Sequence, residues 1–206
     1  MTDDLKQGKV LPLMEQFYSI QCEGFNTGKA AFFIRIGGCD VSCHWCDVKE
    51  SWNESLHPLT QTDIIVQNVL DHNVDNVVIT GGEPLRYNLD YLSYELKKNK
   101  IKTFLETAGT CKITGIWDWI CLSPKEKAHP RKDFFQNADE LKVIIQNESD
   151  IQWAEINAEK VSQKCLLYLQ PEWSQRNMVT PIIVEYIKKN PRWMLSLQIH
   201  KFLKIP

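Results

Sequence analysis

The stretch Ala30–Asp47 reads AAFFIRIGGCDVSCHWCD, an apolar run of strand length that passes straight into a loop holding three cysteines. The run from Ala30 to Ile36 is nearly continuous, the pattern of a strand covered on both faces. Arg35 is its one charge. A buried, unpaired charge is costly, so Arg35 is expected either at the surface or against an anion in a pocket. The loop from Gly37 to Asp47 then places Cys39, Cys43 and Cys46 within eight residues, close enough for three thiolates to meet around one inorganic centre. Three centres are open to such a loop. A structural zinc needs four closed ligands, usually drawn as two pairs; His44 or Asp40 would have to complete the set, and the chain has no second Cys-x-x-Cys. A redox dithiol uses two cysteines and leaves the third unexplained. An iron–sulfur cubane held by three thiolates keeps one iron free for a small-molecule ligand.

At 206 residues the chain suits one domain, 1–206, with a continuous core. A formal net charge of -2 disfavours a non-specific nucleic-acid binder. The N-terminus lacks the apolar core of a signal peptide, and no run approaches the ~18 apolar residues that would cross a membrane, so a soluble, cytoplasmic protein is expected. Seven cysteines cannot all pair, which fits a reducing compartment. The scattered Cys22, Cys111, Cys121 and Cys165 read as small apolar side chains without a ligand role.

The rest of the chain alternates strands and helices. Leu11–Ser19 reads as a strand after a frayed tail, and Ile20–Gly24 as a polar loop. Thr60 reads as the N-cap of a helix over 64–70. Asn76–Thr80 is a strand running into Gly81-Gly82-Glu83-Pro84, where paired glycines allow close backbone approach to a ligand. Asp90–Lys98 reads as a helix, Ile101–Glu106 and Ile116–Leu122 as strands, and 125–137 as an exposed loop with His129 solvated. Glu140–Ile145 and Cys165–Leu169 read as strands around a helix at Ser149–Glu159. Ile182–Lys189 reads as a helix stopped at Pro191, and Trp193–Leu197 as the last strand. The tail stays apolar to Pro206, which predicts a docked terminus. This alternation predicts a mostly parallel sheet, with ligands outside the carboxyl ends of its strands. Residues 37–47, 80–84, 106–110, 123–125 and 170–171 are then expected to converge.

Three cysteines spaced three and then two residues apart, with Trp45 before the last, resemble the signature of the radical S-adenosylmethionine superfamily, and Gly81–Pro84 resembles its element for the methionine amino group. The likeness extends to one family, 7-carboxy-7-deazaguanine synthase. Ile20–Gly24 is similar to that family's Leu-Gln-Gly-Glu-Gly, Glu106–Thr110 to its Glu-Thr-Ser-Gly-Thr, and Ser123-Pro124-Lys125 to its Ser-Pro-Lys. Glu140–Lys142, Leu169–Pro171 and above all the ending, Leu195–Pro206, resemble it too.

The resemblance implies an incomplete TIM-like β/α barrel of about six mostly parallel strands. It also implies a lyase that rearranges 6-carboxy-5,6,7,8-tetrahydropterin to 7-carboxy-7-deazaguanine with loss of ammonia, on the route to queuosine. It assigns a [4Fe-4S] cluster to Cys39, Cys43 and Cys46, with the open iron holding S-adenosylmethionine. That cofactor falls to Trp45, Cys46, Asp47, Gly82, Ser123, Pro124, Lys125 and Gln170. The pterin falls to Ile20, Gln21, Cys22, Glu23, Arg35, Thr80, His200 and the Pro206 carboxylate. No general acid/base pair is implied. A flavodoxin- or ferredoxin-type reductant and a homodimer are implied as partners. The family's Cys-Asp-Thr becomes Cys-Asp-Val here, and Val48 cannot ligate Mg²⁺. Magnesium is then held by substrate and water, or by Asp47 or Ser51, or is not required. A glycyl-radical activase would leave Gln21, Glu23 and the docked terminus unexplained; a zinc or iron–sulfur binding module without catalysis is the alternative of a different class, told apart by anaerobic purification and cleavage of S-adenosylmethionine.

Overall fold

The computed structural model describes residues 3–206. In chain order its elements are α1 (Asp3–Lys6), β1 (Val10–Ile20), β2 (Ala30–Ile36), β3 (Leu59–Gln61), α2 (Thr62–Asp71), β4 (Asn76–Gly81), α3 (Asp90–Lys98) and β5 (Lys102–Thr107). There follow β6 (Trp119–Leu122), α4 (Lys132–Asn137), β7 (Glu140–Ile145), α5 (Asp150–Ala158), β8 (Leu166–Pro171), α6 (Arg176–Lys189), β9 (Trp193–Leu195) and α7 (Ile199–Leu203). Among the described residues all nine strands share one sheet, ordered β3-β1-β2-β4-β5-β6-β7-β8-β9. From β2 through β9 each neighbour is parallel, while β1 is antiparallel to both β2 and β3. The parallel set thus has seven strands, one more than expected.

Strand pleating sorts the side chains onto two faces. On one, Ile34, Ile79, Leu105, Leu141 and Leu169 are fully buried under the helices, in a cluster continued by Val69, Leu92, Leu96, Ala154 and Ile183. Each such aliphatic side chain contributes about 1.5–3 kcal/mol by leaving water. On the other, registered neighbours run Phe17–Phe33–Val78–Phe104–Trp119, then Cys121–Glu140, then Lys142–Tyr168. Ala31, Val78 and Phe104 pack there with Phe33 and Trp119, as a small apolar floor. Only the first of these faces matches the reading of residues 30–36 as covered on both sides; the second lines a cavity.

The barrel is incomplete, with β3 and β9 as the sheet's edges. Its open side is spanned by the chain's end. Gly24 N donates to Ser196 Oγ (3.0 Å), Ile199 N to Cys22 O (3.3 Å) and Ser19 Oγ to Pro206 O (3.1 Å). The tail is therefore docked mainly by polar links. Phe202 and Leu203 remain 58% and 55% exposed, so apolar packing is not what holds it.

Several local readings change. Residues 3–6 form a helical turn with Leu5 against the core, whereas a frayed tail was expected; Met1 and Thr2 lie outside the described residues. Thr60 lies in β3, paired with Leu11, so Gln61 occupies the N-cap of α2 and makes no side-chain cap bond. Residues 116–118 leave the strand because Asp118 Oδ2 and Ile116 O are taken by Thr103 N and Oγ1, both at 2.7 Å. The charged stretch 125–137 contains α4, whose Phe134 and Phe135 bury themselves although their neighbours show no period. Helix α6 begins six residues before Ile182 and runs through Pro181, and β9 ends at Leu195 as Ser196 turns inward.

Phe134→Ala is expected to cost about 3–5 kcal/mol, because its fully buried ring also packs beneath Gly109. Equilibrium urea unfolding measures this; a midpoint within error of wild type would show that α4 does not close the core.

Candidate active site

The segments that follow the carboxyl ends of β2, β4, β5, β6, β8 and β9 open onto one cavity of about 290 Å³, to which β7 adds Lys142 and Ile144 from within the strand. The cysteine loop follows β2. Its root is braced from both sides: Gly38 N donates to Ser51 O (2.6 Å), Cys39 N to Trp52 O (3.1 Å) and Glu83 N to Gly38 O (2.8 Å). Gly82 lies so close that a Cβ there would sit 2.3 Å from Gly38 O and 2.8 Å from Cys39 Cβ. Gly38 itself has φ +101°, a conformation L side chains avoid. Glu83 is buried and structural: it accepts from Thr107 Oγ1 (2.6 Å), Ala108 N (2.8 Å) and Leu85 N (3.2 Å), tying the β4 loop to the β5 loop. Burial pushes its carboxyl up in spite of those bonds.

Cys39, Cys43 and Cys46 are free, partly exposed thiols that border the cavity together. Burial pushes the Cys43 thiol up, Lys125 pulls it down, and Cys39 and Cys46 add to the rise. Among the described residues no three His, Cys, Asp or Glu side chains close tightly enough to chelate one ion. Beside the thiols, Lys125 Nζ donates to Ser123 O (2.8 Å) and Oγ (2.6 Å), and lies 5.3 Å from the Trp45 ring centroid. Asp47 reaches away to α7, accepting from Lys201 Nζ (2.5 Å) and Gln198 Nε2 (3.1 Å).

The inner strand face supplies the other end. Lys142 Nζ lies 2.7 Å from Glu23 Oε2 and 2.9 Å from Glu106 Oε2. Burial pushes the Glu23 carboxyl up, but the charge and hydrogen bond of Lys142 outweigh it and hold the group below its ordinary 4.5. The pair therefore contributes stability above that value and loses it only as pH falls through the lower, folded one. Burial pulls Lys142 down, and its acidic neighbours more than reverse this. Arg35, which borders the cavity, pairs through Nε with Glu15 Oε1 at 2.6 Å, its only ion-pair partner among the described residues. Burial holds His200 neutral, below its usual range.

Comparison with known proteins places this geometry. The sequence model of the Radical SAM superfamily matches residues 33–119. A 7-carboxy-7-deazaguanine synthase from Flavobacterium psychrophilum is 52% identical, covering 98% of this chain and 96% of its own. One from Synechocystis sp. is 45% identical over 94% and 93% of the two chains. The crystal structure of QueE from Escherichia coli superposes with a TM-score of 0.82 at 28% identity, covering 94% and 96%. This chain belongs to the 7-carboxy-7-deazaguanine synthase family.

Family membership brings a [4Fe-4S] cluster and S-adenosylmethionine, and the residues present fit them. Each cluster iron takes one thiolate, so three thiols bordering a cavity suit a cluster better than a lone zinc. A protein-held magnesium does not fit. The Val48 side chain offers no oxygen and its carbonyl accepts from Ser51 Oγ (2.7 Å), which is itself buried, while Asp47 is engaged by Lys201 of α7.

Of the residues singled out from this synthase family's pattern, all but Pro124 border the cavity; Pro124 is buried behind it. Gln21 turns its amide inward on its own loop, accepting from Cys22 N (2.9 Å) and Glu23 N (3.2 Å) and donating to Glu106 Oε1 (3.3 Å). Glu106 and Lys142, matched to the family's motifs but given no ligand role, also border the cavity, as do Trp52 and Trp173, which were not singled out. For Glu106 and Lys142 a signal existed, a charge at an inward parity of an otherwise apolar strand.

Gly82→Ala is expected to displace the cysteine loop, so reconstituted protein should hold well under half the wild-type iron. Full iron content with an unshifted absorbance spectrum would contradict the close approach.

Proposed function

We propose that this chain converts 6-carboxy-5,6,7,8-tetrahydropterin to 7-carboxy-7-deazaguanine with loss of ammonia, in queuosine and deazapurine biosynthesis. Substrate equals product plus ammonia, so no net oxidant is needed. The observation that carries the reading is one cavity bordered by three free thiols, by a Glu23–Lys142–Glu106 group and by Arg35. Its support is the near-full-length likeness to synthases of this name.

Cys39, Cys43 and Cys46 would hold the cluster. Bound there with S-adenosylmethionine, it supplies the carbon-centred radical that removes a hydrogen atom from the substrate. The chain's own residues bind and orient. Gly82, Ser123, Lys125 and Gln170 border the same cavity as the thiols and, with Trp45 and Asp47, would hold S-adenosylmethionine. Arg35 would clamp the pterin carboxylate through two N–H groups, a geometry that guanidinium supplies and ammonium does not. Glu23 would accept from the guanidine-like edge of the ring. Thr80, neutral His200, Ile20, Cys22 and the Pro206 carboxylate would complete the pterin's surroundings, with Gln21 ordering the loop. Residues 1–206 would act as one radical S-adenosylmethionine domain, since one sheet holds all nine strands of the described residues. A flavodoxin- or ferredoxin-type protein would deliver the electron, and the working form would be a cytoplasmic homodimer. No helix among the described residues is long and apolar enough to cross a membrane.

Anaerobic incubation with reductant, S-adenosylmethionine and the carboxytetrahydropterin should yield the deazapurine acid and ammonia in equal amounts; cofactor cleavage without that product would reject the substrate. Because Val48 supplies no ligand, turnover should change less than about twofold after exhaustive chelation. Loss of activity restored by millimolar Mg²⁺ would show that another oxygen holds the ion.

A further inference from the structure

Lys142 is the most deeply buried charge at the cavity, with 5% of its side chain exposed. Its two partners are more open, 17% for Glu23 and 22% for Glu106, so the cation sits behind two anions that face the ligand space. The partners come from different parts of the chain, Glu23 from the β1–β2 loop and Glu106 from β5, and Lys142 on β7 is what joins them. Two carboxylates so close cannot both stay ionised without a cation between them; one would take up a proton. With the ammonium present, the group carries one net negative charge and keeps its outward oxygens as acceptors.

We infer that Lys142 is a positioning residue for the substrate: it fixes Glu23 and Glu106 side by side as ionised acceptors for neighbouring N–H donors on one edge of a bicyclic, guanidine-bearing ligand. This rests on the substrate class proposed above. The other titratable groups around the trio have different engagements. Glu140, also on β7, is turned to Phe25 N and Trp119 Nε1, each at 3.1 Å. Cys121 on β6 is buried with its thiol pushed well up by that burial. Lys125 beyond β6 is bonded to Ser123, burial pulls His200 on α7 below its usual range, and Tyr168 on β8, registered with Lys142, is pushed up by burial and by Glu140.

The test is steady-state kinetics of the reconstituted holoenzyme at pH 6.5 and 8.5, varying pterin at saturating S-adenosylmethionine and then the reverse. Lys142→Met is expected to raise the pterin KM roughly tenfold or more at pH 6.5 and clearly less at pH 8.5, where the shared proton is lost. The KM for S-adenosylmethionine and its cleavage without pterin should stay within about twofold, and Lys142→Arg should recover most of the pterin KM with no pH dependence. A purely structural lysine would lower the melting temperature and disturb both KM values without the pH effect. A pterin KM within twofold of wild type, or a rise equal at both pH values, overturns the inference. If Lys142→Met does not fold, Lys142→Gln takes its place. If neither folds, the wild-type enzyme decides: a pterin KM flat between the two pH values supports the inference, and one that climbs as pH falls overturns it. Absence of any deazapurine product from wild type would instead overturn the proposed substrate.

Discussion

The structure depends on the two-residue pleat of its parallel strands. Because successive side chains point to opposite faces, a strand such as AAFFIRI can give Ile34 to the helix-covered core and Phe33 and Arg35 to the cavity. In-register pairing carries the division across the sheet. Ile34, Ile79 and Leu105 line up on one side, while Phe33, Val78 and Phe104 line up on the other. A one-residue slip in any strand would bury a charge such as Glu106 or Lys142 in the helix-facing core and empty the site. Packing and function are therefore specified by the same register.

The second constraint is the open seam. A fully closed barrel would pair its first and last strands; here β9 ends after three residues and the chain instead folds back across the gap. Ser196 joins Gly24 to Gln170, accepting at 3.0 Å and donating at 2.6 Å, and Lys201 reaches Asp47 in the cysteine loop. The C-terminal segment thus couples the β1–β2 loop to the cysteine loop. Trp173 supports it, with Arg176 4.0 Å above its ring, Lys201 at 5.2 Å and Phe202 edge-on at 5.0 Å. This explains how a tail with exposed Phe202 and Leu203 can still be held in place: ionic and hydrogen-bonded anchors act on groups that are already ordered.

Much of this was legible in the residues. The spacing of Cys39, Cys43 and Cys46, the paired glycines after Asn76–Thr80 and the strand–helix alternation carry local signals, and those elements formed where expected. The misreadings share a cause, which is that local pattern was overridden by distant partners. Thr60 left its cap for pairing with Leu11, residues 116–118 were drawn off by Thr103, and α4 formed in a charged stretch because Phe134 found a buried place. Asp47 and Gln21 kept their places at the cavity, but their side chains are engaged by α7 and by the loop itself.

By itself the sequence determined the chemistry available: three thiols at cluster spacing, a hydrophobic position at Val48 where an oxygen would ligate, and glycines where backbones must meet. These are properties of residue type and near-neighbour spacing, which the chain fixes before it folds. Only the tertiary structure decided which charges meet. Glu23, Glu106 and Lys142 are separated by 83 and 36 residues along the chain, and nothing local draws them together. Their contact exists because a sheet whose other face had a core to bury set Glu106 and Lys142 on its inner face, and the β1–β2 loop brought Glu23 to them.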